Sequence, residues 1–441
     1  MRSDEILLNV RAFIEKNYPF LGVNKKREIE RLLFEILKSG RILSFSQLPE
    51  YKNYEHFKKS LLKIRYPNSY GIYPMNSFFL GGIEFDERSI WRENESSVKE
   101  IFIEKSVDDI NLVDRLKKEY PLASFIEIDS IKEYIKKHKY DFSYSDRKKK
   151  IYVVNERYDF VKKCPCTKNC VSCGYNVINL GFGCPFDCEY CYLSGYQNID
   201  GIIINANVED YLRALVDFSR GRRIRVGSGE FTDSLVYDNI THHSVKIIDF
   251  ICRFPHIIFE FKTKSSNLDL IINKKPAENI VVSFSVNPSR IIEMFEHGTA
   301  GYDKRIEKMK ELSKVGWRLG VHFDPIIMID GWRELYCKCI DELFDVVSPA
   351  DIIWISAGTL RFYPHTKKEI EKRFPQSSLL DAEMIIDFDG KLRYPRHIRR
   401  EMYNVIIEKI KSKGFDIERF YLCMEDASMW RDLGLKARFG W

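Results

Sequence analysis

Nowhere in this chain do 18 apolar residues run together, so no conventional membrane-spanning helix is expected. The opening stretch MRSDEILLNVRAFIEKNYPF breaks its apolar residues with charge. It therefore lacks the continuous hydrophobic segment of a secretory signal, and the expected location is the cytoplasm. Long internal repeats and low-complexity tracts are missing as well. Hydrophobic residues at 44% beside charged residues at 30% exclude a disordered chain. A large excess of one charge sign is missing too: a formal net charge of +6 permits a polyanionic partner without demanding one.

What the chain does have is cysteine, and it is concentrated. Seven of the eleven cysteines fall between Cys164 and Cys191. In a reducing compartment such crowding points to metal binding or catalysis rather than to disulfides. Three of the others, Cys252, Cys337 and Cys339, lie within helical patterns and read as small core residues.

The 441 residues suggest several structural units. Residues 1–97 read as an accessory helical domain, with REIERLLFEILKSG spacing its apolar residues for one helix face and ending in glycine. Residues 98–163 alternate short β-rich runs with charged helices, the pattern of a small α/β unit. Residues 164–175 hold a second cysteine cluster. Residues 176–356, with their strand opening at YNVINLG, repeat a strand-helix unit six times, which implies a parallel sheet curled into a partial (β/α)6 barrel. Residues 357–441 form a C-terminal extension, with a hairpin expected at Asp389-Gly390 and a helix at EMYNVIIEKIKSKG.

In the loop after the first barrel strand, NLGFGCPFDCEYCYLSGYQN places Cys184, Cys188 and Cys191 in a C-x3-C-x2-C array. Three thiols are one short of a closed tetrahedral zinc site. A 4Fe-4S cluster held by three thiolates keeps one iron open to an outside ligand. The second barrel strand ends in VGSGEFTD, whose glycines admit close backbone approach and whose Gly229 and Glu230 lie at the barrel mouth. Lys264 in FKTKSSN, and Ser285 with Asn287 in SFSVNPS, end the third and fourth strands on the same rim.

These residues resemble the fingerprint of the radical S-adenosylmethionine (SAM) superfamily, with the aromatic Tyr190 before the last cysteine. Taken with FEHGTAGYDKRI and GWRLGVHFDPI, the chain resembles the spore photoproduct lyase family of DNA-repair enzymes over about residues 98 to 435. The resemblance implies a 4Fe-4S cluster on Cys184, Cys188 and Cys191. It implies SAM contacts at Tyr190, Gly229, Glu230, Thr232, Lys264, Ser285 and Asn287, with Glu230 on the SAM ammonium. It implies a radical relay through Tyr190 and Tyr192, a DNA substrate, and a reducing partner such as flavodoxin or ferredoxin. Family members carry a hydrogen-donating cysteine near the end of the second strand; Glu230 stands there in this chain, which leaves Cys423 in FYLCMED as the candidate donor.

Upstream, CPCTKNCVSCGY supplies Cys164, Cys166, Cys170 and Cys173, the last three again spaced C-x3-C-x2-C. Four thiols close a site, so an auxiliary 4Fe-4S cluster and a structural zinc both fit. Candidate phosphate contacts are Arg220, Arg222 and Arg223, the run Lys148 to Lys150, and RYPRHIRR after the expected hairpin. Two other readings stand beside DNA chemistry: radical modification of a peptide or small molecule, and a non-catalytic iron-sulfur protein.

Overall fold

The computed structural model describes residues 2–92, 98–138 and 144–436, and divides the chain into two compact units. The first combines Met1–Trp91 with Ile327–Asp330 and Thr359–Arg399. Helices Ser3–Asn17, Val23–Lys38 and Tyr54–Arg65 bury Val10, Ile29, Leu32, Leu33, Ile36, Phe57, Leu61 and Leu62 between them. The expected hairpin is present in this unit: Ile385–Ile386 pairs antiparallel with Leu392–Arg393, and Gly390 turns with φ 75°.

The boundaries fall elsewhere than the sequence suggests. The segment Thr359–Arg399, read as part of the C-terminal extension, belongs with the N-terminal helices. Its Lys367 donates to Glu35 at 2.6 Å and its Glu371 receives Arg31, while Arg65 binds the other Glu35 oxygen at 2.7 Å. These five charged side chains are buried, where breaking one partner costs far more than at a surface. The expected boundary at residue 97 lies outside the described residues.

The second unit contains Arg92–Ile326, Gly331–Gly358 and Arg400–Trp441. Its larger sheet runs in the order Phe420–Leu422, Ile352–Thr359, Arg318–Ile326, Ile280–Ser285, Ile257–Thr263, Ile224–Gly227, Tyr175–Val177, Lys162–Lys163. All six expected barrel strands are there. Parallel pairing runs from Tyr175–Val177 through Arg318–Ile326. Every residue of Ile280–Ser285 is buried, as in a sheet covered on both faces. A seventh strand, Phe420–Leu422, adds in parallel to Ile352–Thr359.

Residues 98–163 do not form a separate sheet. Strands Glu100–Glu104, Ser124–Ile128 and Lys150–Val154 continue through Ile202–Asn205 to Gly181–Phe182, which belong to the barrel segment. The fold thus anchors the three-cysteine loop to a second sheet at its base.

Inside the barrel, Glu260 gathers Arg225 (2.8 Å), His322 (2.8 Å) and Trp354 Nε1 (2.9 Å), and Tyr421 of the seventh strand accepts from Arg225 at 2.7 Å. Arg225 and Glu260 are each 1% exposed, so their charges survive only by this pairing. Burial would raise the Glu260 carboxyl, but Arg225 and His322 hold it well below the usual range.

Candidate active site

The cysteine loop is held from three sides. Arg147, fully buried, donates to the carbonyls of Cys184 (3.0 Å) and Phe186 (2.7 Å) and to the Asp187 carboxylate (2.8 Å). Asp187–Cys188 pairs antiparallel with Glu296–His297, which sets Cys188 opposite Glu296. The Glu189 amide donates to Phe295 O at 2.9 Å, and the Cys191 amide closes a turn onto Cys188 O at 3.0 Å. Cys184 and Cys188 are buried. Burial pushes the Cys188 thiol up to about 12, against the pull of Lys264. Burial, with Asp233 nearby, pushes Cys184 up as well. Neutral thiols at these positions become ligands only when a metal offsets the charge of the thiolate.

The strand ends close around this loop. Lys264 Nζ lies 3.9 Å from Cys188 Sγ and 4.9 Å above the Tyr190 ring. Tyr190 donates its hydroxyl to Glu296, which also receives Arg305 at 2.6 Å and Asn287 at 2.8 Å. Burial disfavours the Glu296 carboxylate, but Arg305 and Lys264 bring it down to about 2. Asn287 accepts from Tyr336 at 2.8 Å, and Ser285 offers its carbonyl to Arg305 at 2.8 Å. A Cβ on Gly229 would stand 3.1 Å from Lys262 Cβ, so a side chain there would have to push the third strand back by a few tenths of an ångström.

Glu230 receives Asn179 at 3.0 Å and has Lys162 at 3.7 Å, both on Oε2, and its carbonyl receives the Tyr192 hydroxyl. Thr232 Oγ1 and Asn179 Oδ1 are buried with no hydrogen-bond partner among the described residues. Such orphans are costly and mark groups that await a polar ligand. Asp233 binds the Thr263 hydroxyl and the Lys264 amide, each at 2.7 Å, and so sets the end of the third strand.

The structure therefore brings Tyr190, Gly229, Glu230, Thr232, Lys264, Ser285 and Asn287 to the rim that carries the three cysteines. Tyr192 stands there too, 40% exposed, in edge contact with Tyr196 at 6.0 Å. Cys423 sits just past the C-terminal end of the seventh strand, beside Cys164, which in turn lies near Tyr192. Cys252 is exposed rather than part of a core.

Arg147, Asp233, Glu296 and Arg305 were not assigned roles from sequence; their signals were the charged run DRKKK, the last residue of VGSGEFTD, and the acidic and basic residues of FEHGTAGYDKRI.

Several side chains of the basic runs have carboxylate partners within the chain. Lys148 pairs with Asp187, Lys149 with Asp146 and Lys150 with Asp200. Arg393 and Arg399 are buried on Asp389 and Asp387. Arg220, Arg222 and Arg223 are exposed but precede the second strand, at the end opposite the cysteine rim.

A partial parallel barrel with three cysteines in the loop after its first strand defines the radical SAM class of protein. The family model described as spore photoproduct lyase matches residues 128–408, well over half of the chain. The chain belongs to the spore photoproduct lyase family. It is 28% identical over 214 residues to the spore photoproduct lyase of a Geobacillus species, a match covering 46% of this chain and 61% of that protein. The Bacillus subtilis spore photoproduct lyase is 30% identical over 209 residues, covering 46% and 61%. The matches thus span about three-fifths of these relatives' length. A solved structure of a spore photoproduct lyase mutant superposes with a TM-score of 0.62 at 20% identity, covering 74% of this chain and 98% of that one. Another mutant, solved with bound AdoMet and dinucleoside spore photoproduct, gives a TM-score of 0.61 over 75% and 99%. Among the described residues no helix is long and apolar enough to cross a membrane.

Proposed function

We propose that this chain is a radical SAM enzyme that repairs a damaged base in DNA. The observation that carries the reading is the three-thiol loop locked at the mouth of a partial barrel, with orphaned polar groups beside it.

The donor set fits a 4Fe-4S cluster with SAM at its open iron: three thiols in one loop, a glycine-lined bend, and the unmatched Thr232 hydroxyl and Asn179 carbonyl. Cys184, Cys188 and Cys191 would hold the cluster. Bound there and reduced by a partner such as flavodoxin or ferredoxin, the pair supplies a 5′-deoxyadenosyl radical by cleavage of SAM. The chain's own residues bind and orient. Lys264 places a cation beside Cys188, suited to the net negative charge of a thiolate cluster and to the SAM carboxylate. Glu296, fixed by Arg305 and Asn287, holds the Tyr190 ring in place. Glu230 offers a carboxylate for the SAM ammonium.

The substrate reading rests on family membership and on the rim itself. Tyr192 and Tyr196 expose two aromatic rings next to Cys191, and exposed rings stack unpaired bases. Tyr192 is also the residue best placed to pass a hydrogen atom between the SAM pocket and a base stacked outside it.

The test is to incubate the anaerobically reconstituted, reduced protein with SAM and an oligonucleotide carrying spore photoproduct. Conversion of the lesion back to two thymines within the oligonucleotide, with formation of 5′-deoxyadenosine, supports the proposal. SAM cleavage that is indifferent to every DNA lesion offered, with no repaired base, would remove DNA as substrate.

A further inference from the structure

We propose that Cys164, Cys166, Cys173 and Cys423 hold a second 4Fe-4S cluster at the seam between the first barrel strand and the last. The Cys164 amide donates to Tyr175 O at 2.9 Å, which places this cysteine on the edge of the first strand. The Cys423 amide donates to Ala357 O at 2.8 Å, carrying the last strand one residue further. Three further contacts bind the two segments. The Val171 amide donates to Glu425 O at 2.9 Å, Cys170 forms an antiparallel bridge with Asp426, and the Thr167 hydroxyl lies 3.9 Å from Met424 Sδ.

Both segments turn through left-handed backbone beside their cysteines. Asn169 has φ 72° and Met424 has φ 56°. For the unbranched but bulky Met424 this conformation is strained, and strain of this kind persists where a site demands it.

The thiols crowd accordingly. Cys164 hydrogen-bonds Cys166 and has Cys423 and Cys173 as its next thiol neighbours. Arg225 faces Cys173 and supplies positive charge to that side. Cys170 contributes its backbone to the bridge with Asp426. Cys423 thus brings a thiol from the last strand to the group that is contiguous in sequence.

A cubane takes each of four thiolates on a different iron, which matches the number of thiols assigned here. Zinc, which draws four sulfurs to about 2.3 Å around one point, is the alternative that the experiment must exclude. A thiolate committed to iron has no S–H hydrogen to give, so this assignment replaces Cys423 as a hydrogen-atom donor.

The experiment uses the full chain, reconstituted anaerobically, with alanine at Cys184, Cys188 and Cys191. The expected result is about four irons and four sulfides per chain with a cubane Mössbauer spectrum, against roughly eight irons in the unmodified protein. Adding Cys423→Ser or, in a separate chain, Cys166→Ser removes that iron, whereas adding Cys170→Ser leaves it. Circular dichroism and gel filtration identify any variant that fails to fold, and either of the first two suffices. A triple variant that holds no metal, or holds zinc in place of iron, overturns the proposal. So does iron that depends on Cys170 and not on Cys423.

Discussion

The two cysteine groups share a spacing and differ in nearly everything around it. In the loop after the first strand, Cys184, Cys188 and Cys191 lie on the rim, clamped by Arg147 and faced by Lys264, with the orphaned Thr232 hydroxyl past the end of the next strand. Ahead of that strand, Cys164, Cys166 and Cys173 lie at the seam with the seventh strand, where Cys423 completes four thiols. The first setting has three thiols and polar groups awaiting a partner. The second is assigned four of its five thiols by our proposal and has a backbone pinned to Glu425 and Asp426. Spacing sets how many ligands a loop offers; topology decides whether the site stays open to a substrate or closes on itself.

Replacing Cys188 by alanine should separate the two groups most sharply. Formation of 5′-deoxyadenosine should fall by more than the roughly 10–100-fold typical of supporting residues. About half of the iron should remain. Loss of all the iron would show that the groups load as one.

Next in size is Arg147→Met. It removes the Arg147 partner of the buried Asp187 carboxylate and frees the Cys184 and Phe186 carbonyls. Denaturant unfolding should lose about 3 kcal/mol, and iron should drop at the rim but not at the seam. An unchanged midpoint would mean that the clamp is not what preorganises the loop.

Thr232→Val has a crossed signature. Removing a buried hydroxyl without a partner should leave stability unchanged or slightly raised, while SAM binding weakens by about 1–2 kcal/mol, roughly 5–30-fold in Kd. Equal SAM affinity in the two proteins would take Thr232 out of the pocket.

The smallest effect concerns the barrel interior next to the seam. Burial first, then Lys262, hold His322 down to about 4 although Glu260 favours its charged form. Unfolded, the ring titrates near 6.5. Between these values the unfolded chain binds the extra proton, so stability falls as pH drops from about 6.5 to about 4. Denaturant midpoints compared at pH 7 and pH 5 should show the slope, and His322→Asn should flatten it.

Much of this was legible in the amino-acid sequence, for physical reasons. Parallel strands buried on both faces give unbroken apolar runs such as IVVSFS, and all six appeared where expected. Asp389-Gly390 announced its hairpin because the turn needs a positive φ. The three-cysteine array was legible because its ligands lie within one loop. The union of Met1–Trp91 with Thr359–Arg399 was not. Its ties include Arg31, Glu35, Arg65, Lys367 and Glu371, charged residues that in sequence look like solvated helix faces. Arg147 was hidden for the same reason within a basic run. Cys423 was visible as a cysteine on a returning strand, but its neighbours depend on which strand Phe420–Leu422 pairs with.

The central claim is that the rim cysteines leave one iron for SAM. Electron paramagnetic resonance of the reduced, reconstituted protein, recorded with and without SAM, tests it most directly. The account predicts a signal that changes on adding SAM, in a chain that retains only the rim group through serines at Cys166 and Cys423. An identical spectrum with and without SAM in that chain, and no 5′-deoxyadenosine on turnover, would contradict it.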